Sequence, residues 1–262
     1  MRAAIIGGTG FYGIPGGRFR EEVLATPFGP ALVFIGEGEH EDLVFLARHG
    51  PAHGVPPHRI NYRANLRALK DLGVQRVVAT FAVGSLRPEY PPLSLALVDQ
   101  FLDFTHGREW TFFNGGKEGF AHSDMSEPTC PDLRAALAAE AEAHRLPVQP
   151  SAVYVCTNGP RLETAAEVRM YARLGGDVVG MTGVPEMPLA REAGLHYAGL
   201  AYSINWGAGL GGGQIIEFAG REVADLKTAM LAVMTAALRR PFEPHCRCES
   251  SLFEMHSPEK ET

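Results

Sequence analysis

Short apolar runs rich in Val, Ile and Phe alternate along the chain with stretches in which apolar residues recur every three to four positions. The first pattern marks strands buried on both faces, and the second marks helices with one buried side. Strands are expected at Ala3 to Ile6, Ala31 to Ile35, Leu43 to Ala47, Arg76 to Phe81, Ser94 to Val98, Ala152 to Cys156, Val178 to Gly180 and Tyr197 to Ile204. Helices are expected at Asn61 to Leu72, Pro131 to His144, Thr164 to Leu174, Glu186 to Ala193 and Val223 to Arg239. The first of these stops at Gly73, a residue that terminates helices by entering the left-handed region. The third opens Thr164-Ala165-Ala166-Glu167, the spacing at which each of two side chains satisfies the other's backbone donor. The alternation predicts an α/β fold with a mixed, largely buried central sheet flanked by helices, in one domain over residues 1–240. From Pro241 onward proline, histidine and charge replace periodicity, so residues 241–262 are expected to form a C-terminal tail or docking strap.

Composition narrows the classes. The chain has 262 residues, 45% hydrophobic and 21% charged, enough for a full core and unlike a disordered or fibrous sequence. Its longest uncharged helical run, Thr228 to Leu238, falls short of the ~18 to 20 residues that span a membrane. The amino terminus enters an apolar strand that stops at Gly7-Gly8, without the layout of a secretory signal, so a cytoplasmic location is expected. A net charge of -6 and no basic stripe argue against nucleic acid as a partner. Four cysteines, at 130, 156, 246 and 248, are too few and too unevenly placed for a disulfide scaffold.

Ligands of α/β sheets sit beyond the carboxyl ends of strands, so the residues that follow each strand carry the chemistry. They are Gly7-Gly8-Thr9-Gly10, Arg48-His49-Gly50, Ala82-Val83-Gly84-Ser85, Met181-Thr182-Gly183 and Asn205-Trp206-Gly207. Glycines let backbone amides approach an anion, Arg48 and His49 add charge and donors, and Thr9 and Thr182 add hydroxyls. Any one of these loops reads first as a turn; gathered at one cleft they would hold a small oxyanion such as phosphate. Gly7 to Gly13 also fits the glycine fingerprint of an NAD(P)-binding reductase. That fold needs a helix directly after the glycines, whereas Ile14-Pro15-Gly16-Gly17 breaks one, and no tyrosine has a lysine four residues on.

Five ordered motifs, Ile5-Ile6-Gly7-Gly8-Thr9-Gly10, Leu46-Ala47-Arg48-His49-Gly50, Asn61-Tyr62-Arg63-Ala64-Asn65, Gly159-Pro160-Arg161-Leu162-Glu163-Thr164 and Gly180-Met181-Thr182-Gly183-Val184-Pro185-Glu186, together resemble the trimeric purine nucleoside phosphorylase and methylthioadenosine phosphorylase family. The resemblance runs from about Arg2 to Leu238. It implies the nucleoside phosphorylase fold, a homotrimer or homohexamer, and cleavage of a purine nucleoside's glycosidic bond by inorganic phosphate, with no metal or organic cofactor. By the same resemblance Thr9, Arg48, His49, the Phe81-Ala82 segment and Thr182 fall on phosphate-binding positions, and Met181 lies beneath the ribose. Phe81 departs from the hydroxyl residue common at its position, so only its backbone can serve. His122 falls in a segment that such trimers lend to the neighbouring subunit's pocket.

Two residues bear on the base. Methylthioadenosine phosphorylases carry serine at the position of Glu163, aspartate at Asn205 and another aspartate at Gly207, and all three differ here. Glu163 with Asn205 is similar to the pair in phosphorylases of inosine and guanosine and in the bacterial phosphorylase of methylthioinosine. The chemistry agrees. A 6-oxopurine offers N1-H to the Glu163 carboxylate and accepts at O6 or N7 from the Asn205 amide, whereas adenine sets a lone pair against the carboxylate. A buried mismatch of that kind costs roughly 1 to 3 kcal/mol. The plainer readings are that Glu163 serves the helix dipole and Asn205 a turn. Asn205 is expected to stabilise the departing base, with Trp206 and Gly207 beside it in the substrate site. At the 5' side no histidine occurs between His196 and His245; Ile215, Ile216, Phe218 and Val223 occupy that stretch, with Phe218 a candidate for specificity. A hydroxyl and a methylthio group both remain open there.

Cys246-Arg247-Cys248, with His245 and His256 nearby, has one-residue spacing, poor for tetrahedral zinc, where two to four intervening residues are usual. Some heat-stable relatives carry a similar Cys-x-Cys, which leaves a local disulfide open. Cys130 and Cys156 read as small buried residues.

Overall fold

The computed structural model describes residues 2–115, 119–211 and 221–255. Twelve strands and five α-helices follow one another in these residues. Ten strands form one mixed sheet: β1 (Arg2–Gly7), β2 (Phe19–Thr26), β3 (Gly29–Gly36), β4 (Leu43–Ala47), β5 (Val74–Ser85), β6 (Leu95–Val98), β7 (Gln100–Phe104), β9 (Val153–Thr157), β10 (Val178–Gly180) and β11 (His196–Trp206). Its order is β2-β3-β4-β1-β5-β10-β9-β7, and β11 lies against β5 with β6 on its far side. The long strand β5 organises the sheet. Its first half pairs in parallel with β1, its last two residues pair antiparallel with β10, and β11 runs parallel to it from Arg76 to Ser85.

The period of two along a strand separates two cores. In β1 Ala4 and Ile6 enter one apolar cluster, whereas Ala3 and Ile5 enter the other. The first cluster is closed by α1 (Tyr62–Asp71) through Leu66 and Leu69 and by α4 (Gly183–Glu192) through Met187 and Leu189. The second is closed by α2 (Pro131–Ala143) through Leu133 and Leu137 and by α5 (Arg221–Arg239) through Met230 and Val233. A smaller cluster sets Val168 and Tyr171 of α3 (Ala165–Arg173) on Val155 and Val179. Burial on both faces is why these strands read as unbroken apolar runs.

Every expected strand and helix is present, with ends shifted by a few residues. Asn61 caps α1 by accepting from the Ala64 amide at 3.1 Å, and Thr164 and Glu167 form the reciprocal cap of α3. Strand β2 was not expected. It is a half-exposed edge strand whose Arg20, Glu21 and Glu22 face solvent in part and hide its pairing with β3. It also excludes the reductase topology, because the chain after Gly7 turns into an antiparallel strand and not into a helix.

Residues 241–255 are a docked strap rather than a loose tail. Phe242 packs edge-on against His196, with ring centroids 4.9 Å apart, and lies under the Arg76 guanidinium. The His245 and Cys246 amides donate to Asp132 at 2.6 and 2.8 Å. Strand β12 (Leu252–Met255) then pairs with β8 (Phe120–Ser123) in a separate two-stranded ribbon. All four cysteines are free thiols, so no disulfide joins Cys246 to Cys248. Among the described residues no helix is long and apolar enough to cross a membrane.

Candidate active site

The carboxyl ends of β1, β4, β5, β10 and β11 open onto one cleft of about 210 Å³. Thr9, Arg48, His49, Ala82, Met181, Thr182, Glu163 and Asn205 all line it, joined by Gly8, Val83 and Gly84. Residues as far apart as Thr9 and Asn205 therefore share one space, as the parallel pairing of β1, β5 and β11 requires.

Arg48 is the most constrained of them. Its side chain is fully buried, and Nε and Nη2 donate to the two oxygens of Glu186 at 2.6 and 2.7 Å. Nη1 donates to the Thr80 carbonyl at 2.9 Å, so three of the five N–H groups are committed within the protein. Burial alone would lower the Arg48 pKa, but the Glu186 carboxylate outweighs it and holds the pKa above its ordinary value. Tyr197 completes this network by donating its hydroxyl to Glu186 at 2.6 Å. Gly8 passes so close that a Cβ there would stand 2.6 Å from the Thr80 carbonyl oxygen and 2.9 Å from Arg48 Nη1. Its amide donates to the Thr80 hydroxyl at 2.8 Å and is thereby spoken for.

His49 is buried, with Nδ1 2.8 Å from the Val55 carbonyl. That carbonyl can only accept, so Nδ1 carries the proton and Nε2 is the free lone pair of the neutral ring. Burial first, and then the Arg48 charge, push its pKa down to about 4 against the opposing pull of Val55. Thr182 precedes α4, and its hydroxyl makes no capping bond to that helix. Its amide donates to Tyr154 at 3.2 Å.

Glu163 accepts from the Thr157 hydroxyl at 2.7 Å through Oε1, which leaves its second oxygen as an acceptor. Asn205 sits at a bulge: the β11–β5 register slips between Ser203 and Asn205, and Asn205 then pairs with Gly84. Such a slip re-aims a side chain at the end of a strand. The amide Nδ2 donates to the Trp206 carbonyl at 2.7 Å, and because that carbonyl can only accept, the assignment of nitrogen and oxygen is fixed. One amide hydrogen remains for a ligand.

Several expected site residues lie elsewhere. Phe81 turns its ring into the core against Tyr154, 5.0 Å between centroids, and beneath Arg48; one residue on, Ala82 reaches the cleft. Trp206 stays in the ladder with β5, Gly207 just beyond it donates its amide to the Ser85 carbonyl at 2.7 Å, and neither lines the cleft. A Cβ at Gly207 would lie 2.9 Å from the Ser85 carbonyl oxygen, so this backbone leaves no room for a side chain there. His122 is exposed on the β8–β12 ribbon and does not line this cleft. Phe218, with Ile215 and Ile216, lies outside the described residues, and Val223 is buried in α5.

Sequence reading missed Glu186, Thr80 and Arg108, which position the others. Arg108 is buried and donates to the carbonyls of Asn158 at 3.0 Å, Met181 at 2.8 Å and Val184, so one side chain ties together two cleft loops. Glu186 stood inside a quoted motif but read as a helix start, and nothing local signals Arg108. A larger hollow of about 560 Å³, lined by Phe28, Phe112 and Phe113, carries Glu192, whose carboxylate is already held by Thr111 and the Phe112 amide.

Fold and cleft together define an α/β protein that gathers hydroxyl, guanidinium and imidazole groups with a carboxylate and an amide across its strand ends. Residues 2–239 match the phosphorylase superfamily, and the chain belongs to it. The 6-oxopurine nucleoside phosphorylase of Pyrococcus furiosus is 44% identical over 261 residues, covering 96% of this chain and 97% of that protein. The probable S-methyl-5'-thioinosine phosphorylase of Methanopyrus kandleri is 47% identical over 208 residues, 79% of each. Among solved structures, methylthioadenosine phosphorylase from Schistosoma mansoni in complex with tubercidin superposes with a TM-score of 0.80 at 32% identity, covering 91% of this chain and 90% of that one.

Proposed function

We propose that the protein catalyses phosphorolysis of 6-oxopurine nucleosides, inosine, guanosine or S-methyl-5'-thioinosine, to the free base and the corresponding ribose 1-phosphate. The observation that carries this reading is the single cleft shared by Thr9, Arg48, His49 and Thr182 with Glu163 and Asn205. The first four suit a phosphate. The free oxygen of Glu163 suits N1-H of the base, and the remaining amide hydrogen of Asn205 suits O6 or N7. The names of the relatives from P. furiosus and M. kandleri favour the same substrates. Gly207 argues against an adenine site of the other kind, because the aspartate found there in methylthioadenosine phosphorylases would collide with the Ser85 carbonyl.

Displacement passes through an oxocarbenium-like transition state. Bound phosphate stabilises the positive charge that develops on the sugar, and Asn205 stabilises the negative charge on the leaving base, so positioning and preorganised electrostatics carry the rate. Phosphate is a co-substrate and the chemistry uses no cofactor. The enzyme works in the cytoplasm as a homotrimer or homohexamer.

The test is incubation with inosine, guanosine, methylthioinosine and methylthioadenosine, each with and without phosphate, reading free base. Release from the 6-oxopurines only when phosphate is present is expected. Glu163→Ala should then lower their kcat/KM by roughly 10- to 100-fold, and Asn205→Asp should move preference toward 6-aminopurines. Release without phosphate, or unchanged base preference in both variants, would overturn the reading.

A further inference from the structure

Three thiols and an imidazole meet at the back of the molecule, away from the cleft. Cys130 precedes α2, His196 opens β11, and Cys246 and Cys248 come from the strap. Their ligand atoms all lie within 4.8 Å of one another. Cys130 Sγ is 3.6 Å from both Cys246 Sγ and His196 Nδ1, and Cys246 Sγ is 3.2 Å from His196 Nδ1. Ligands on a tetrahedron with Zn–S of about 2.3 Å and Zn–N of about 2.0 Å stand roughly 3.5 to 3.8 Å apart.

We infer that Cys130, His196, Cys246 and Cys248 form a structural Cys₃His zinc site that fastens the carboxyl-terminal strap to the domain. The surroundings are those a thiolate zinc centre needs. His196 turns Nδ1 to the sulfurs while Nε2 lies 3.4 Å from Glu249 Oε1, the carboxylate-to-histidine contact that orients a ligating ring. The Leu133 amide donates to Cys130 Sγ at 3.4 Å, where the sulfur caps the positive end of α2. Arg191 Nη1 donates to Cys248 Sγ at 3.1 Å. Three thiolates and one Zn²⁺ leave a single negative charge, which Arg191 meets. Cys130, Cys248 and His196 are almost completely buried, so the centre is closed to substrate and its role is structural. The one-residue spacing of Cys246 and Cys248 does not oppose this, because the other two ligands arrive from elements more than forty residues away. His245 engages Asp132 through its amide and is not in the set, and His256 lies outside the described residues.

The full chain, produced with zinc in the medium and purified anaerobically without chelators, should contain about one zinc per chain by elemental mass spectrometry. Cys246→Ser should lose it, and Glu249→Gln should weaken retention about 10- to 100-fold in a chelator competition. Should Cys246→Ser fail to fold, cobalt(II) exchanged into the wild-type protein decides: tetrahedral ligand-field bands with thiolate charge transfer are expected. Wild-type protein that takes up neither zinc nor cobalt, zinc retained in full by folded Cys246→Ser, or a disulfide among these cysteines in the anaerobic protein would each overturn the inference.

Discussion

Arg48 meets the cleft as half of an ion pair, not as a bare cation. Glu186 neutralises it, so attraction for an anion has to come from its two uncommitted N–H groups and the hydroxyls around it. His49 adds no charge at neutral pH. Its folded pKa near 4 lies below the ~6.5 of an unfolded histidine, so protonation favours the unfolded chain. The stability that His49 contributes is present above pH ~6.5 and is lost as the pH falls toward about 4. Thermal melts between pH 7 and 4.5 should therefore fall less steeply for His49→Gln than for wild type. Equal slopes would remove His49 as a source of acid lability. Both residues were legible in the sequence as strand-end chemistry. Their partners were not, since Glu186 is 138 residues from Arg48.

Elements carry the next level of constraint. Glu186 hangs from α4, Arg48 follows β4, and Tyr197 belongs to β11, so their bonds join three elements beneath the cleft. Removing either charged member leaves the other as an uncompensated buried charge. Glu186→Ala should cost about 3 to 5 kcal/mol in denaturant unfolding and raise the KM for phosphate by loosening Arg48. A cost under about 1 kcal/mol, of the size seen for exposed pairs, would show that the site relaxes or admits water. Strands such as β1 and β4 could be read because burial on both faces makes them uniformly apolar. Strand β2 could not, because its half-exposed, charged residues hide its pairing with the adjacent β3, and the β8–β12 ribbon could not, because its two strands lie far apart in the chain. The bulge that re-aims Asn205 is likewise a property of two strands in register.

At the scale of the molecule, His122 lies on the ribbon, outside its own chain's cleft, and the resemblance assigns its segment to a neighbour. On that assignment two different lesions complement each other in a mixed oligomer. His122→Ala and Asn205→Ala should each lower activity, and co-assembled one to one they should recover about a quarter of wild-type activity, since that share of sites draws both intact residues from different subunits. No recovery would mean that His122 acts within its own chain or not at all. The same ribbon is reached through the strap, which joins cysteine chemistry at its base to β12 at its end.

The sequence by itself determined what short-range physics can encode: buried strands, capped helices, glycine-lined strand ends, and the residue types suited to phosphate and a 6-oxopurine. The tertiary structure decided which groups meet. It turned Phe81 inward, kept Gly207 out of the cleft, paired Arg48 with Glu186, and brought Cys130 and His196 to the strap cysteines. The physical reason is that periodicity and capping act over a few residues. Hydrogen bonds, ion pairs and ligand sets act over a few ångströms, and only the folded sheet brings distant residues that close.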